Sequence, residues 1–179
     1  AVGSHWPLSV PVRRLVLNDI GPRIDAQGLQ RIGQYLGQPV RYDTLEQAAE
    51  ALRSTLSGPH RHEDWLALTR HMVRPAPDGG LMLHYDPDIA QAFRAAPPGA
   101  AAQGEAQMWQ LYDRIRARTL LLRGIESDIL SAETAQAMAQ RGPRAQVVEF
   151  PGVGHAPTLV TPDQIAPVVE FLLAPEPHP

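Results

Sequence analysis

Two loops place a carboxylate and an imidazole at matching positions after short apolar segments. Asp128 lies five residues beyond the segment Thr119–Arg123, and His155 lies five residues beyond Gln146–Phe150. A lone histidine after a strand is more often a hydrogen-bonded loop residue than a catalyst. A histidine paired with a carboxylate, however, has its tautomer selected and its protonated form stabilised, as a general base requires. The two loops therefore predict an acid–base pair, with Asp128 as the acid and His155 as the base.

The segments before these loops are predicted to be parallel strands. Both are short and apolar and are stopped by glycine or proline, which favours buried strands over helices. A helix over Ser131–Gln140 separates them, so a right-handed crossover brings both loops to one edge of the sheet. Val12–Asp19 is predicted to be a third strand, and Thr161-Pro162 begins a C-terminal helix. This alternation predicts an α/β fold with a parallel sheet and crossover helices.

The long segment between the first two strands is predicted to be mainly helical. Capping residues and helical apolar spacing indicate five helices, over Asp25–Leu36, Thr44–Leu56, the region of Trp65, Leu68 and Met72, Asp86–Ala95 and Glu105–Ile115. Only Gly80–Tyr85 is expected to be extended, and Pro97–Gly104 is expected to be a flexible link. A helical block inserted between two strands of a parallel sheet is expected to form a separate lid, with Trp65, Leu68 and Met72 buried.

Three stretches resemble α/β-hydrolases. LLLRGIESDIL resembles the acid loop of that family, VVEFPGVGHAPTL its histidine loop, and RLVLNDIGP the strand before its cap domain. The resemblance extends from Arg13 to Leu173. It implies that Asp128 and His155 are the acid and base of a catalytic triad. It also implies a partial hydrolase core over residues 1–23 and 108–179 and a helical cap over residues 24–107.

The resemblance leaves two triad positions open. Asp19 is a rival acid, because some family members carry the carboxylate after the earlier strand, although Asn18-Asp19 also suits a structural turn. The family nucleophile lies in a G-x-S-x-G-type turn upstream of the first strand predicted here. Ser4 and Ser9 are the upstream serines, and the bulky residues around Ser4 do not suit such a turn. The nucleophile is therefore expected to be missing, which would make the chain a truncated and inactive form.

The function implied by the resemblance is that of a serine-type esterase acting on carboxylic esters or small acyl substrates. Other chemistry of the same fold, such as dehalogenase, epoxide hydrolase or C–C hydrolase activity, remains an alternative, as does a non-catalytic binding protein. No metal or organic cofactor is expected. The histidines of the segment His60–His71 lack a metal-binding spacing and are expected to belong to a solvated helix start. Tyr85 is expected to pack or to reach the pocket.

Composition excludes several other classes of partner. The net charge is -3, and the basic residues are scattered, so neither nucleic acid nor an anionic membrane is an expected partner. Cysteine is absent, which rules out disulfides and permits the cytoplasmic location that we expect. No apolar run is long enough to span a bilayer. An exposed edge of a partial sheet is a candidate surface for self-association.

Overall fold

The computed structural model describes residues 12–56, 58–94 and 100–175. The strands in these residues are β1 (Arg14–Asn18), β2 (Arg41–Tyr42), β3 (Val73–Pro75), β4 (Leu81–Leu83), β5 (Arg118–Gly124) and β6 (Gln146–Phe150). The helices are α1 (Ala26–Tyr35), α2 (Leu45–Leu56), α3 (His62–Met72), α4 (Ile89–Arg94), α5 (Ala100–Asp113), α6 (Ala132–Gln140) and α7 (Pro162–Leu173).

The main sheet is parallel and has the order β1–β5–β6. Val16 of β1 pairs with Leu120 of β5, and Leu122 of β5 pairs with Val148 of β6. The central strand is fully buried at Leu120, Leu121 and Leu122, because apolar residues pack against both of its faces. The α/β fold class predicted from the sequence is therefore confirmed.

Two apolar clusters cover the two faces of this sheet. Successive residues of a strand point to opposite faces, so Leu121 belongs to one cluster while Leu120 and Leu122 belong to the other. The first cluster includes α6 and also Leu130 of the acid loop. The second includes α7 and also Val153 of the histidine loop. The core therefore anchors both loops that the sequence singled out.

The segment between β1 and β5 contains α1 to α5, at the places where five helices were predicted. Asp25 caps α1 by accepting a hydrogen bond from the Gln27 backbone N–H at 2.8 Å. Trp65 is buried where α2 packs on α3, and Leu68 and Met72 are half-buried. None of the helices in the described ranges is long and apolar enough to cross a membrane.

The structure of this segment differs from the sequence prediction in two respects. The strand expected within Gly80–Tyr85 is β4, but it pairs with β2 and β3, which were not predicted. Those strands contain two and three residues, too few for an alternating pattern to appear. Residues 100–104, expected to belong to a flexible link, begin α5 instead. Residues 95–99 lie outside the described residues, as do Ser4 and Ser9.

Candidate functional site

Asp19, the first residue after β1, contacts the candidate base His155. Its Oδ2 lies 2.8 Å from His155 Nδ1, and its Oδ1 accepts a hydrogen bond from the Gly124 N–H at 3.0 Å. The Asp19 side chain is fully buried, whereas that of His155 is 26% exposed. The Asp19 backbone has a φ of 55°, a left-handed conformation that aspartate tolerates better than most residues. A buried carboxylate thus holds one ring nitrogen of a partly accessible histidine.

The end of β5 lets Asp19 and His155 meet across the sheet. β5 lies between the strands that precede these residues, and it ends at Gly124. A Cβ atom at Gly124 would lie 2.3 Å from the carbonyl oxygen of Val153, so a larger residue would push the histidine loop away. β1 also holds the histidine loop in place, because the Asn18 side chain donates a hydrogen bond to the Pro157 carbonyl at 2.9 Å.

The hydrogen bond predicted between Asp128 and His155 is absent from the described structure, where Asp19 takes that position. Asp128 instead forms a two-pronged ion pair with Arg31 of α1, through Arg31 Nε to Oδ2 and Nη2 to Oδ1, the latter at 2.8 Å. These hydrogen bonds lower the pKa of the Asp128 carboxyl below its ordinary value and raise that of Arg31. Asp128 nevertheless remains close to His155.

The backbone of α1 approaches the acid loop closely. A Cβ atom at Gly28 would lie 2.2 Å from the Asp128 carbonyl oxygen, so the helix can occupy this position only with glycine there. The Asp25 N–H also donates a hydrogen bond to the Ile129 carbonyl at 3.0 Å. These contacts seat α1 on the acid loop, and the ion pair of Arg31 with Asp128 extends the same junction.

A cleft of about 370 Å³ opens beside His155. Its wall combines the histidine and acid loops with the ends of α1 and α2, through Arg31, Tyr35, Ser54, Thr55, Leu56, Glu126, Asp128, Gly154 and His155. A volume of this size falls within the range of small-molecule sites. The hydroxyls of Ser54 and Thr55 both donate hydrogen bonds to the Ala51 carbonyl, at 2.8 and 2.9 Å.

His60 connects the inserted segment to the histidine loop. Its Nε2 lies 2.8 Å from Thr158 Oγ1. Gln164 of α7 supports the same loop, since its Oε1 accepts a hydrogen bond from the Leu159 N–H at 2.8 Å. The expectation of a solvated helix start was therefore wrong at His60, and no local sequence signal indicates its partner 98 residues away.

Neither of the other polar features noted in the sequence joins this cleft. The Tyr85 hydroxyl accepts a hydrogen bond from the Gly37 N–H at 2.8 Å and lines a separate cavity of the inserted segment. In the part of the chain that the structure describes, no three histidine or acidic side chains cluster as metal ligands would. The cleft beside His155 therefore brings together His155, Asp128 and Glu126.

Comparison with known proteins agrees with this architecture. The model of the alpha/beta hydrolase family matches residues 2–168. The chain is 43% identical over 166 residues to the 3-hydroxybutyrate-oligomer hydrolase of Cupriavidus necator, covering 90% of this chain and 57% of that protein.

Two solved structures are similar along most of the chain. An alpha/beta hydrolase from Novosphingobium aromaticivorans is 40% identical with a TM-score of 0.75, over 88% of this chain and 55% of that one. A putative hydrolase from Rickettsia typhi is 30% identical with a TM-score of 0.76, over 92% of this chain and 54% of that one. The chain therefore spans little more than half the length of these relatives.

Proposed function

Since the chain belongs to the α/β-hydrolase family, we propose that it supplies the acid and the base of an ester-hydrolysing active site, with Asp19 as the acid and His155 as the base. The observation that carries this proposal is the 2.8 Å contact between the buried Asp19 carboxylate and His155 Nδ1. A proton held on Nδ1 by that contact leaves Nε2 unprotonated in the neutral ring, as a general base requires.

In this mechanism His155 Nε2 takes the proton of the nucleophile as the nucleophile attacks the ester carbonyl carbon. The protonated ring, stabilised by Asp19, then returns that proton to the departing alcohol oxygen. In the second half-reaction His155 deprotonates water, which attacks the acyl carbonyl carbon. The ring then returns the proton to the nucleophile as its bond to the acyl group breaks and the acid leaves. Ser54 and Thr55 are poor candidates for the nucleophile, because their hydroxyls donate to their own helix. We therefore assign the nucleophile to a residue outside the described part of the protein.

The proposed substrates are small carboxylic esters, with short hydroxyacyl oligomers as the leading class. The Cupriavidus necator relative is named for hydrolysis of 3-hydroxybutyrate oligomers, and the cleft of about 370 Å³ has room for a small ester. We further propose that residues 24–107 act as a cap over this cleft. Its wall includes residues from α1 and α2, so substitutions there are expected to change substrate range.

A chimera of the Cupriavidus necator hydrolase tests this proposal. This chain replaces the matching segment of that enzyme, and hydrolysis of the 3-hydroxybutyrate trimer is followed by release of the monomer. We expect Asp19→Asn and His155→Ala to lower kcat by several orders of magnitude, because either change removes the oriented base. Asp128→Asn is the matched control and should retain most of kcat.

Two results would count against the proposal. Loss of activity in the Asp128→Asn chimera, with activity kept in Asp19→Asn, would return the role of acid to Asp128. A folded chimera that binds the trimer without turnover would support a non-catalytic binding module instead.

A further inference from the structure

The ion pair with Asp128 holds the Arg31 guanidinium, a hydrogen-bond donor, in the wall of the cleft. An arginine side chain carries five N–H donors on three nitrogens, and the pair with Asp128 engages Nε and Nη2. Nη1 takes no part in that pair, and the Tyr35 side chain also lies near the guanidinium. The Arg31 side chain is 36% exposed and lines the same cleft as His155. A ligand next to His155 can therefore reach a guanidinium that the protein already holds in place.

The charges around the cleft decide which acceptor suits this guanidinium. Among the described residues of the wall, Arg31 is the one arginine, and it stands against the two acidic residues Glu126 and Asp128. Because Asp128 already balances the charge of Arg31, a second carboxylate would enter a wall with an excess of negative charge. A neutral carbonyl oxygen can accept a hydrogen bond from Arg31 without that repulsion.

We infer that Arg31, held by Asp128, is a specificity-determining residue that binds a neutral carbonyl oxygen next to the scissile ester. The cleft accordingly selects substrates with a second ester group and disfavours free acids. This inference rests on the proposed function, since it takes the scissile ester to lie beside His155. It assigns the internal, uncharged units of a hydroxyacyl oligomer to the cleft and leaves a terminal carboxylate outside it.

Binding to the 179-residue chain tests this inference without requiring turnover. The probes are the methyl ester of the 3-hydroxybutyrate dimer, which has two carbonyls, methyl hexanoate, which has one, and the free-acid dimer. Dissociation constants are measured by NMR from shifts of the His155 ring and the Arg31 Nε–H. Arg31→Met should weaken binding of the dimer methyl ester about tenfold and leave methyl hexanoate unchanged, because one charge-assisted hydrogen bond is lost.

Two further variants separate this role from a structural one. Asp128→Asn removes one negative charge from the wall and should improve binding of the free-acid dimer about fivefold relative to its methyl ester. Arg53→Met is the matched control, because Arg53 lies on α2, pairs with Glu50 and is not part of the cleft wall. It should leave the binding of all three probes unchanged.

The outcomes distinguish this inference from the function on which it rests. Equal binding of the dimer methyl ester by wild type and Arg31→Met, or tighter binding of the free acid by wild type, overturns the role of Arg31. The absence of any shift at His155 with all three probes overturns it as well. The acid–base pair is judged separately, from which ring nitrogen of His155 carries the proton.

Discussion

Replacement of Asp19 by asparagine should change the tautomer of His155 without unfolding the protein. Asparagine keeps a carbonyl oxygen for the Gly124 N–H and tolerates the backbone φ of 55°. Its amide group then faces His155 Nδ1 as a donor, at the position where the carboxylate accepts. The neutral ring should respond by moving its proton to Nε2, which is the wrong tautomer for a base. The same change in a serine-protease triad lowers kcat about 10⁴-fold.

The expected cost in stability differs between asparagine and alanine. Asp19→Asn exchanges a charged hydrogen bond for a neutral one, which costs about 1 kcal/mol. Asp19→Ala leaves the buried Gly124 N–H without an acceptor, at about 1–3 kcal/mol, and loses the bond to His155. Alanine also adds about 1 kcal/mol for the left-handed backbone. Removal of a buried charge offsets part of this sum, so the net expectation for alanine is about 3 kcal/mol.

Two measurements on the 179-residue chain check these expectations. Long-range ¹H–¹⁵N correlation spectra identify which ring nitrogen of His155 carries the proton, and denaturant titration gives the free energy of unfolding. Asp128→Asn serves as the control and should leave the His155 tautomer unchanged, because Asp128 is bonded to Arg31. The reasoning is refuted if Asp19→Asn keeps the proton on Nδ1, or if Asp128→Asn moves it.

Three further predictions concern the helix junction, the ion pair and the activity of the chain. Gly28→Ala should lower the free energy of unfolding by about 1–3 kcal/mol through its clash with the acid loop. A Cβ atom at Gly33 in the same helix would have no heavy atom within 4 Å. Gly33→Ala should therefore raise the free energy of unfolding by about 0.5–1 kcal/mol, as measured by the same denaturant titration. The Asp128 carboxyl, whose pKa Arg31 lowers, contributes stability that is present above its unfolded pKa and is lost as pH falls through the folded value. In Arg31→Met, a carboxyl ¹³C titration should show a higher pKa for the Asp128 carboxyl. Finally, the 179-residue chain should show no His155-dependent hydrolysis of an activated ester, and stoichiometric labelling by a serine-directed phosphonate would contradict this.

Local signals in the sequence were sufficient for most of the fold. Asp25 caps α1, Pro162 begins α7, and the apolar segments before the two loops are β5 and β6. Such features depend on residues within a few positions of one another, so they can be read without the tertiary structure. The same signals identified His155 as a candidate, because the end of a parallel strand is where ligands and catalytic groups converge.

Those signals did not decide which carboxylate is the partner of His155. Asp19 and Asp128 both follow strands of one parallel sheet, so the strand pattern places both near His155. The sequence pattern suits Asp19 to a structural turn, and its left-handed backbone fits that role. Its side chain also contacts His155, 136 residues away. The turn and the contact are compatible, because the backbone geometry that makes the turn leaves the carboxylate free to point across the end of β5.

What the sequence by itself determined is the α/β order of elements, the helical insertion and the loop that carries His155. What only the tertiary structure decided is how the polar and charged side chains are paired. Arg31 lies 97 residues from Asp128 and His60 lies 98 residues from Thr158, and no periodicity links residues so far apart. The pair of Arg31 with Asp128 forms because Gly28 lets α1 pack directly on the acid loop. With Asp128 bound by Arg31, the nearest buried carboxylate left to orient His155 is Asp19.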